Sequence, residues 1–324
     1  MAGPTITTNK ALVAEYYDRL LLDNLYPSLK FYQFADKKRL PSGMGKVAHW
    51  TKYSKLIAAG AITEQTVLGI SDLSATRISA MVGGHGIAVK HTDFIIMTGI
   101  SDIVTDSVNE VSKSLALKVD TVTRSAISNQ GTVQGGFSAA VGSVINTTPL
   151  TENDILNAVT ALDSNDAKRF PDGNFVCIAH PKSFMSIKGR TAANSWVEVN
   201  KYANSETVGK IYRGEVGMLH GVRFVMSSQV PKLFEEGATS ATTGLSGGVS
   251  GYNAYVFGAG AYGVVELDGG SAKTYIKQLG SAGTADPINQ FATVGAKIYF
   301  AAANLDCANR MVRIAHGHTP TIAY

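Results

Sequence analysis

The chain has 324 residues, 45% of them apolar and 33 of them glycine, so it can bury a sizeable core in one or two globular units. Glycine this abundant suits a loop- and strand-rich protein better than a helical bundle. A net charge of +4 is too small for a dedicated nucleic-acid binder, and no apolar run is long enough to span a bilayer.

The N-terminal MAGPTITTNK leads into an amphipathic stretch and lacks the pattern of a secretory signal. The charge is uneven. Nine Lys or Arg against four acids fall between Met1 and Lys55, a surplus larger than that of the whole chain. Such an arm is either solvated or faces a polyanion or an acidic neighbour. Within it, residues 11–29 have the pattern of a short amphipathic helix ended by Pro27, with Leu20, Leu21, Leu22 and Leu25 available for contact. FYQFADKKRLPSGMG follows, aromatic and then basic, with no core of its own; it needs something else to pack on.

From Lys46 to Thr98 the pattern is that of strands. Trp50 and Tyr53 fall in a β-prone run, and Ile78, Ala80 and Val82 alternate with Arg77, Ser79 and Met81. Ile87 and Val89 alternate with Ala88 and Lys90. Gly83-Gly84-His85-Gly86 between these runs reads as a turn or a bulge. An isolated hairpin is marginal in water, so this excursion either folds back on its own domain or is covered by another subunit.

The most regular stretch is Ser101–Ile127. Val104, Val108, Val111, Leu115, Val119, Val122 and Ala126 recur in steps of three and four, which predicts one long helix with an apolar stripe. At ~1.5 Å per residue it spans ~40 Å. Ser101 can cap it, Asp102 suits its positive end, and Gly131 suits its stop. Asp120 and Arg124 have the spacing of an exposed ion pair. The sheet-like, Gly-rich flanks argue against a coiled coil and for a spine laid along a sheet.

After a Gly-rich loop over 131–147, Thr151 caps a helix whose face carries Ile155, Val159 and Leu162. A turn at Pro171-Asp172-Gly173, a buried strand at Phe175–Ala179 and a helix starting at His180-Pro181 complete an α/β layer. Trp196–Ile211 reads as loop or short helix, and GEVGMLHGVRFVM as a helix or turn before a strand at Val222–Met226. Residues 238–251 are low in complexity and expected to be exposed. Two β-prone runs around a Gly-rich turn, then a strand, a short connection and a last strand, close the chain.

Sites of chemistry are hard to find. Gly258-Ala-Gly260-Ala-Tyr-Gly263 fits GxGxxG, but Val264-Val265-Glu266-Leu267 after it favours a strand where a nucleotide site needs a helix N-terminus. His316-x-His318 has no third ligand beside it and reads as a polar tail, and no metal or cofactor is expected. Cys177 and Cys307, far apart in apolar surroundings, read as buried free thiols in a reducing cytoplasm. The lack of a catalytic constellation weighs towards a structural or binding protein.

KHTDFIIMTGISDIV, FVCIAHPKSF, GEVGMLHGVRFVMSSQVP, YVFGAGAYGVV and DPINQFATVGAKIYFAAANLDCANRMVRI occur in this order. The ordered set resembles the major capsid proteins of tailed bacteriophages, in particular the group similar to that of coliphage N-four. The resemblance, over about Tyr16–Ile314, implies an α+β chain with the Hong Kong 97-type capsid fold. It implies an N-terminal arm over 1–45, an extended β loop over 46–97, and a spine helix with peripheral domain over 98–150. An axial domain over 151–270 and return strands of both domains over 271–324 follow.

The implied function is structural and non-enzymatic. Hexamers and pentamers of the chain build an icosahedral head in the host cytoplasm around non-specifically bound double-stranded DNA. Portal, decoration and separate scaffold proteins are the other implied partners; no membrane is. Trp50, Tyr53, Ile78, Val82, Ile87 and Val89 are the expected inter-subunit contacts, and Lys37, Lys38 and Arg39 the expected DNA-facing arm. Two rivals remain open: an encapsulin-type nanocompartment, and a nucleotide-binding enzyme working through Gly258–Gly263.

Overall fold

A computed structural model describes residues 21, 29–56, 58–61, 71–99, 102–128, 130–135, 149–188, 215–234, 251–281 and 286–317. The helix expected over 11–29, apart from Leu21 and Leu29, lies outside them, as do the Trp196–Ile211 segment, His318 and nearly all of 238–251.

From residue 29 on, the described elements start with a 3-10 turn at Tyr32–Phe34 and strands β1 (Asp36–Leu40), β2 (Val47–Tyr53), β3 (Ala75–Met81) and β4 (Gly83–Thr92). Helices α1 (Asp93–Thr98) and α2 (Ile103–Ile127) follow, then β5 (Thr132–Gly135), α3 (Glu152–Ser164), β6 (Phe175–Ala179) and α4 (Pro181–Lys188). The second half runs β7 (Glu215–Leu219), β8 (Val222–Met226), β9 (Lys232–Phe234), β10 (Gly251–Phe257), β11 (Tyr262–Leu267) and β12 (Lys273–Lys277). It ends with β13 (Phe291–Asn304), α5 (Cys307–Arg310) and β14 (Met311–Gly317).

The spine helix α2 forms as its stripe predicts, with two refinements. Its N-cap is Asp102, whose carboxylate accepts Val104 N–H at 3.2 Å and Thr105 N–H at 3.4 Å; Ser101 lies outside the described residues. The hydroxyl of Thr105 donates to the same carboxylate, and that bond first of all holds the Asp102 carboxyl below its usual range. The buried face is also wider than the apolar stripe, because Ser107, Ser112 and Thr123 are buried too. Their hydroxyls donate to carbonyls four residues back, so no hydroxyl is left unsatisfied. At the other end Tyr255 and Arg313 donate to the Ser128 carbonyl, placing a cation where the helix dipole favours one.

Asp120 departs from expectation. It is buried rather than exposed, and it accepts the N–H groups of Phe31, at 2.8 Å, and Tyr32. Arg124 donates to the Gln229 carbonyl instead of pairing with it. The spacing for an ion pair is present, but the arm's unpaired amides offer the carboxylate better partners in the interior. Burial pushes the Asp120 carboxyl above its usual value, against the pull of those amides. These bonds fasten the arm to the spine, and Tyr262, donating to the Phe31 carbonyl at 2.6 Å, ties it to β11 as well.

The spine packs on a five-stranded sheet in which β1, β11, β13 and β12 are successive neighbours and β4 also pairs β13. Alternation along β13 turns Val294, Ala296, Ile298 and Phe300 towards Val108, Val111, Leu115 and Val119. Burial of each such side chain contributes about 1.5–3 kcal/mol. Gly83-Gly84-His85-Gly86 does not break this sheet; it is the start of β4, in register with Phe300 down to Lys297. Glycine is there for close approach, since a Cβ on Gly84 would sit 3.1 Å from the Tyr299 ring. The two strands β3 and β4 are separated by Val82 alone, whose N–H donates to the Lys46 carbonyl at 2.8 Å. Lys37, Lys38 and Arg39 lie on β1, paired in parallel with β11, so the basic segment packs on its own sheet.

A seven-stranded sheet, ordered β5-β14-β10-β6-β8-β7 with β9 on β10, carries the second core. Thr151 caps α3 in a reciprocal box with Asp154, and Ile155 and Leu162 pack with Phe184 on Phe175, Phe224 and Val256. Residues 215–219 form a strand, not a helix; β7 and β8 are a hairpin through His220 and Gly221, both with positive φ. Cys177 and Cys307 are buried free thiols, their ionisation pushed up by burial, for Cys307 to about 12. His316 is no tail residue. It is buried within β14, with its ring 6.3 Å from that of Tyr252.

Candidate inter-subunit surface

The two-stranded β2–β3 ladder stands apart from both sheets, pairing Val47 with Met81 through Tyr53 with Ala75. Its base is docked. Ala48 and Ala80 pack with Leu40, Val265 and Ala301, flanked by Trp50 and Val82. The Trp50 indole presses on the backbone of Gly263, where a Cβ would lie 2.9 Å from Cζ2. That close approach accounts for the last glycine of the GxGxxG run. Gly260, with φ of 73°, makes the turn between β10 and β11, and strand follows where a nucleotide site needs a helix.

Beyond its base the hairpin parts from the body. A cleft of about 970 Å³ lies between them, lined by Trp50, Tyr53 and Ile78 on one side and Asp166, Asp306 and Arg310 on the other. Two ion pairs cross it: Lys52 to Asp306 at 2.6 Å, and Lys55 to Asp166 at 2.5 Å. The Lys55–Asp166 pair is open to solvent and holds weakly, whereas in the other a half-exposed Lys52 meets a largely buried Asp306. The hairpin's outer part leaves Tyr53 61%, Leu56 54% and Leu73 57% exposed, with Met81 64% exposed nearer the base. A two-stranded ribbon so poorly covered lacks the burial that would hold it rigid.

The six expected contact residues therefore divide. Tyr53 and Ile78 face the cleft, Trp50 and Val82 serve the docked base, and Val89 packs in the spine core. Ile87 is exposed on β4, beside a smaller groove of about 340 Å³ with His85, Leu115 and Lys118. Leu56 and Leu73 went unnoticed in the sequence, although apolar residues in a segment with no core of its own were the available signal.

The basic trio divides too, because neighbours on a strand face opposite ways. Lys37 reaches over the Tyr32 ring, while Lys38 reaches over Trp50 and donates to the His49 carbonyl. Among the described residues no group of three His, Cys, Asp or Glu is arranged to hold a metal, and no helix is long and apolar enough to cross a membrane.

A long helix on a small sheet, a projecting hairpin and a second α/β domain define the Hong Kong 97-type capsid fold, of α+β class. Solved structures bear this out. The capsid of Ralstonia phage GP4 is similar over 91% of this chain and 89% of its own, with a TM-score of 0.71 at 14% identity. For the capsid of cyanophage Pam1 the shares are 92% and 93%, the TM-score 0.67 and the identity 13%. A virus-like particle from Pyrococcus furiosus is similar over 93% and 99%, with a TM-score of 0.52 at 13% identity. No protein-family model matches the sequence, and no curated protein matches it.

Proposed function

We propose that this chain is the major capsid protein of a tailed bacteriophage, a non-enzymatic subunit that assembles into hexamers and pentamers of an icosahedral, DNA-filled head. The observation that carries the reading is architectural likeness to a phage capsid along nine-tenths of both chains. The ordered motifs support the finer assignment to the group similar to that of coliphage N-four. In this reading the five-stranded sheet and spine are the peripheral domain and the seven-stranded sheet is the axial domain. The extended loop narrows to residues 47–81, since β4 belongs to the peripheral sheet.

The physics of the hairpin supports the same reading. Its uncovered apolar side chains need a partner, and a neighbouring copy supplies one at every position of a shell. Obligate interfaces bury ~2,000–5,000 Å² or more, and repetition adds avidity. Arg39 and Lys37 share one face of β1 and are the proposed contacts to packaged DNA, through phosphates and without sequence preference. Portal, scaffold and decoration proteins are proposed further partners, the virion is the proposed location, and assembly takes place in the host cytoplasm.

The experiment is electron microscopy of the purified protein and of particles from infected or expressing cells. Closed shells of uniform diameter support the proposal, and a small discrete oligomer at all concentrations overturns it. The nanocompartment reading shares the fold and is favoured if shells hold a protein cargo and no DNA.

A further inference from the structure

A second uncovered apolar surface lies far from the hairpin ladder. Helix α1 buries none of its six residues, and it exposes Phe94 (73%), Ile95 and Met97 (78%). Ile288, 70% exposed, stands beside it, because Asp93 N–H donates to the Gln290 carbonyl at 2.9 Å. Leu279 joins them from the adjoining loop, where Gly280 approaches Asn289.

These side chains sit on a braced backbone. The buried Asp286 carboxylate accepts Gln290 N–H at 3.0 Å and Phe291 N–H at 2.8 Å. Thr92 caps α1, and the Thr98 hydroxyl donates to the Phe94 carbonyl at 2.7 Å. Apolar residues held out on a rigid turn and loop mark an interaction surface rather than a core that failed to close.

We propose that α1 and the 286–290 loop form an apolar knob through which one copy of this chain binds a second copy, separately from the hairpin. The proposal rests on the reading of the chain as a shell subunit. Charge and size select the partner. The only charged residue of α1 is Asp93, and its carboxylate accepts its own helix's Phe94 N–H at 2.7 Å. The centre of the knob thus offers nothing to a phosphate backbone and asks for an apolar partner. Its rim carries Asp93 on one side and, a row inward, Lys90 and Lys277, both in register with Thr293. A rim of both signs around an uncharged centre complements itself, since a rotation brings acid to base.

Five side chains of ~100 Å² each give ~1,000 Å² between two copies, the floor for a specific contact. Such a contact is too small to make a lasting dimer alone and suits one repeated around a closed shell.

The test uses the full-length chain with Phe94→Ser and Met97→Ser together. Neither side chain is part of a buried cluster, so the melting temperature stays at the wild-type value. Shell yield at matched concentration falls ~10-fold or more, the effect of losing even a modest contact energy. Phe94→Leu restores it. In a second arm, Met97→Cys is treated with a short bis-maleimide in assembled shells; Cys177 and Cys307 are buried and stay silent. Linked chain dimers joined through position 97 are expected. Wild-type shell yield from the double serine variant overturns the knob and leaves the shell reading intact, as do cross-links that run only to a different polypeptide. Wild-type protein that never forms shells overturns the shell reading and the knob with it.

Discussion

The spine helix sets Val108, Val111, Leu115 and Val119 against its own sheet, whereas the hairpin holds Tyr53, Leu56 and Leu73 in solvent. Both are long, regular and rich in apolar residues. They differ in where the complementary surface lies. For the spine it is β13, supplied by the same chain. For the hairpin the described residues supply the base, around Ala48 and Ala80, and two ion pairs beyond it. One region is finished by folding, and in the proposed function the other is left to be finished by association. Substitutions in the first should therefore register in protomer stability, and substitutions in the second in assembly.

The largest loss of stability is expected from Leu115→Ala, which opens a cavity between spine and sheet and costs ~2–5 kcal/mol by urea denaturation. Asp120→Ala comes next. It strands the Phe31 and Tyr32 amides in the interior and costs ~1–3 kcal/mol. Asp120→Asn keeps an acceptor and costs less. It also changes the pH profile. The folded carboxyl titrates above the ordinary 3.8, so its ionisation penalises the fold. That penalty is absent below 3.8 and complete above the folded value, and wild-type stability falls as pH rises between the two. The Asn variant should lose this slope, and an unchanged slope would show that another group is responsible.

Gly263→Ala pushes a methyl group into the Trp50 indole and costs ~1–3 kcal/mol as overpacking. Trp50 fluorescence should shift to the red as the base of the hairpin loosens; an unshifted spectrum would place the indole elsewhere. Lys52→Ala removes the tie to Asp306 and costs less than ~1 kcal/mol, an effect that should vanish in ~1 M salt. Smallest for the protomer is Leu56→Ser, within ~0.5 kcal/mol, yet it should lower shell yield as Leu115→Ala does not once the folded protein is matched in amount.

What could be read in the sequence follows the same divide. The spine was legible because its signal is local: apolar residues three and four apart, with Asp102 at the start. The Thr151 cap and the buried strand Phe175–Ala179 were legible for the same reason. Features set by distant partners were not. Gly84 looks like a breaker until Tyr299 is placed across from it, and Asp120 looks like a surface ion until the arm's amides reach it. The two runs Ile78–Val82 and Ile87–Val89 look like one hairpin, because nothing nearby says that β4 belongs to β13 while β3 belongs to β2. The hairpin's lack of cover was legible as a question, since no local partner exists. Which of its residues stay bare was not, because that depends on how far its base reaches over Val265 and Ala301.

Hydrogen exchange in the free protomer and in the assembled particle tests the central claim most directly. The account predicts amides of α2 protected in both states, and amides of 47–56 and 71–81 that exchange freely in the protomer and slow by roughly 100-fold or more in the shell. A hairpin already protected in the dilute protomer, and no slower on assembly, would contradict it.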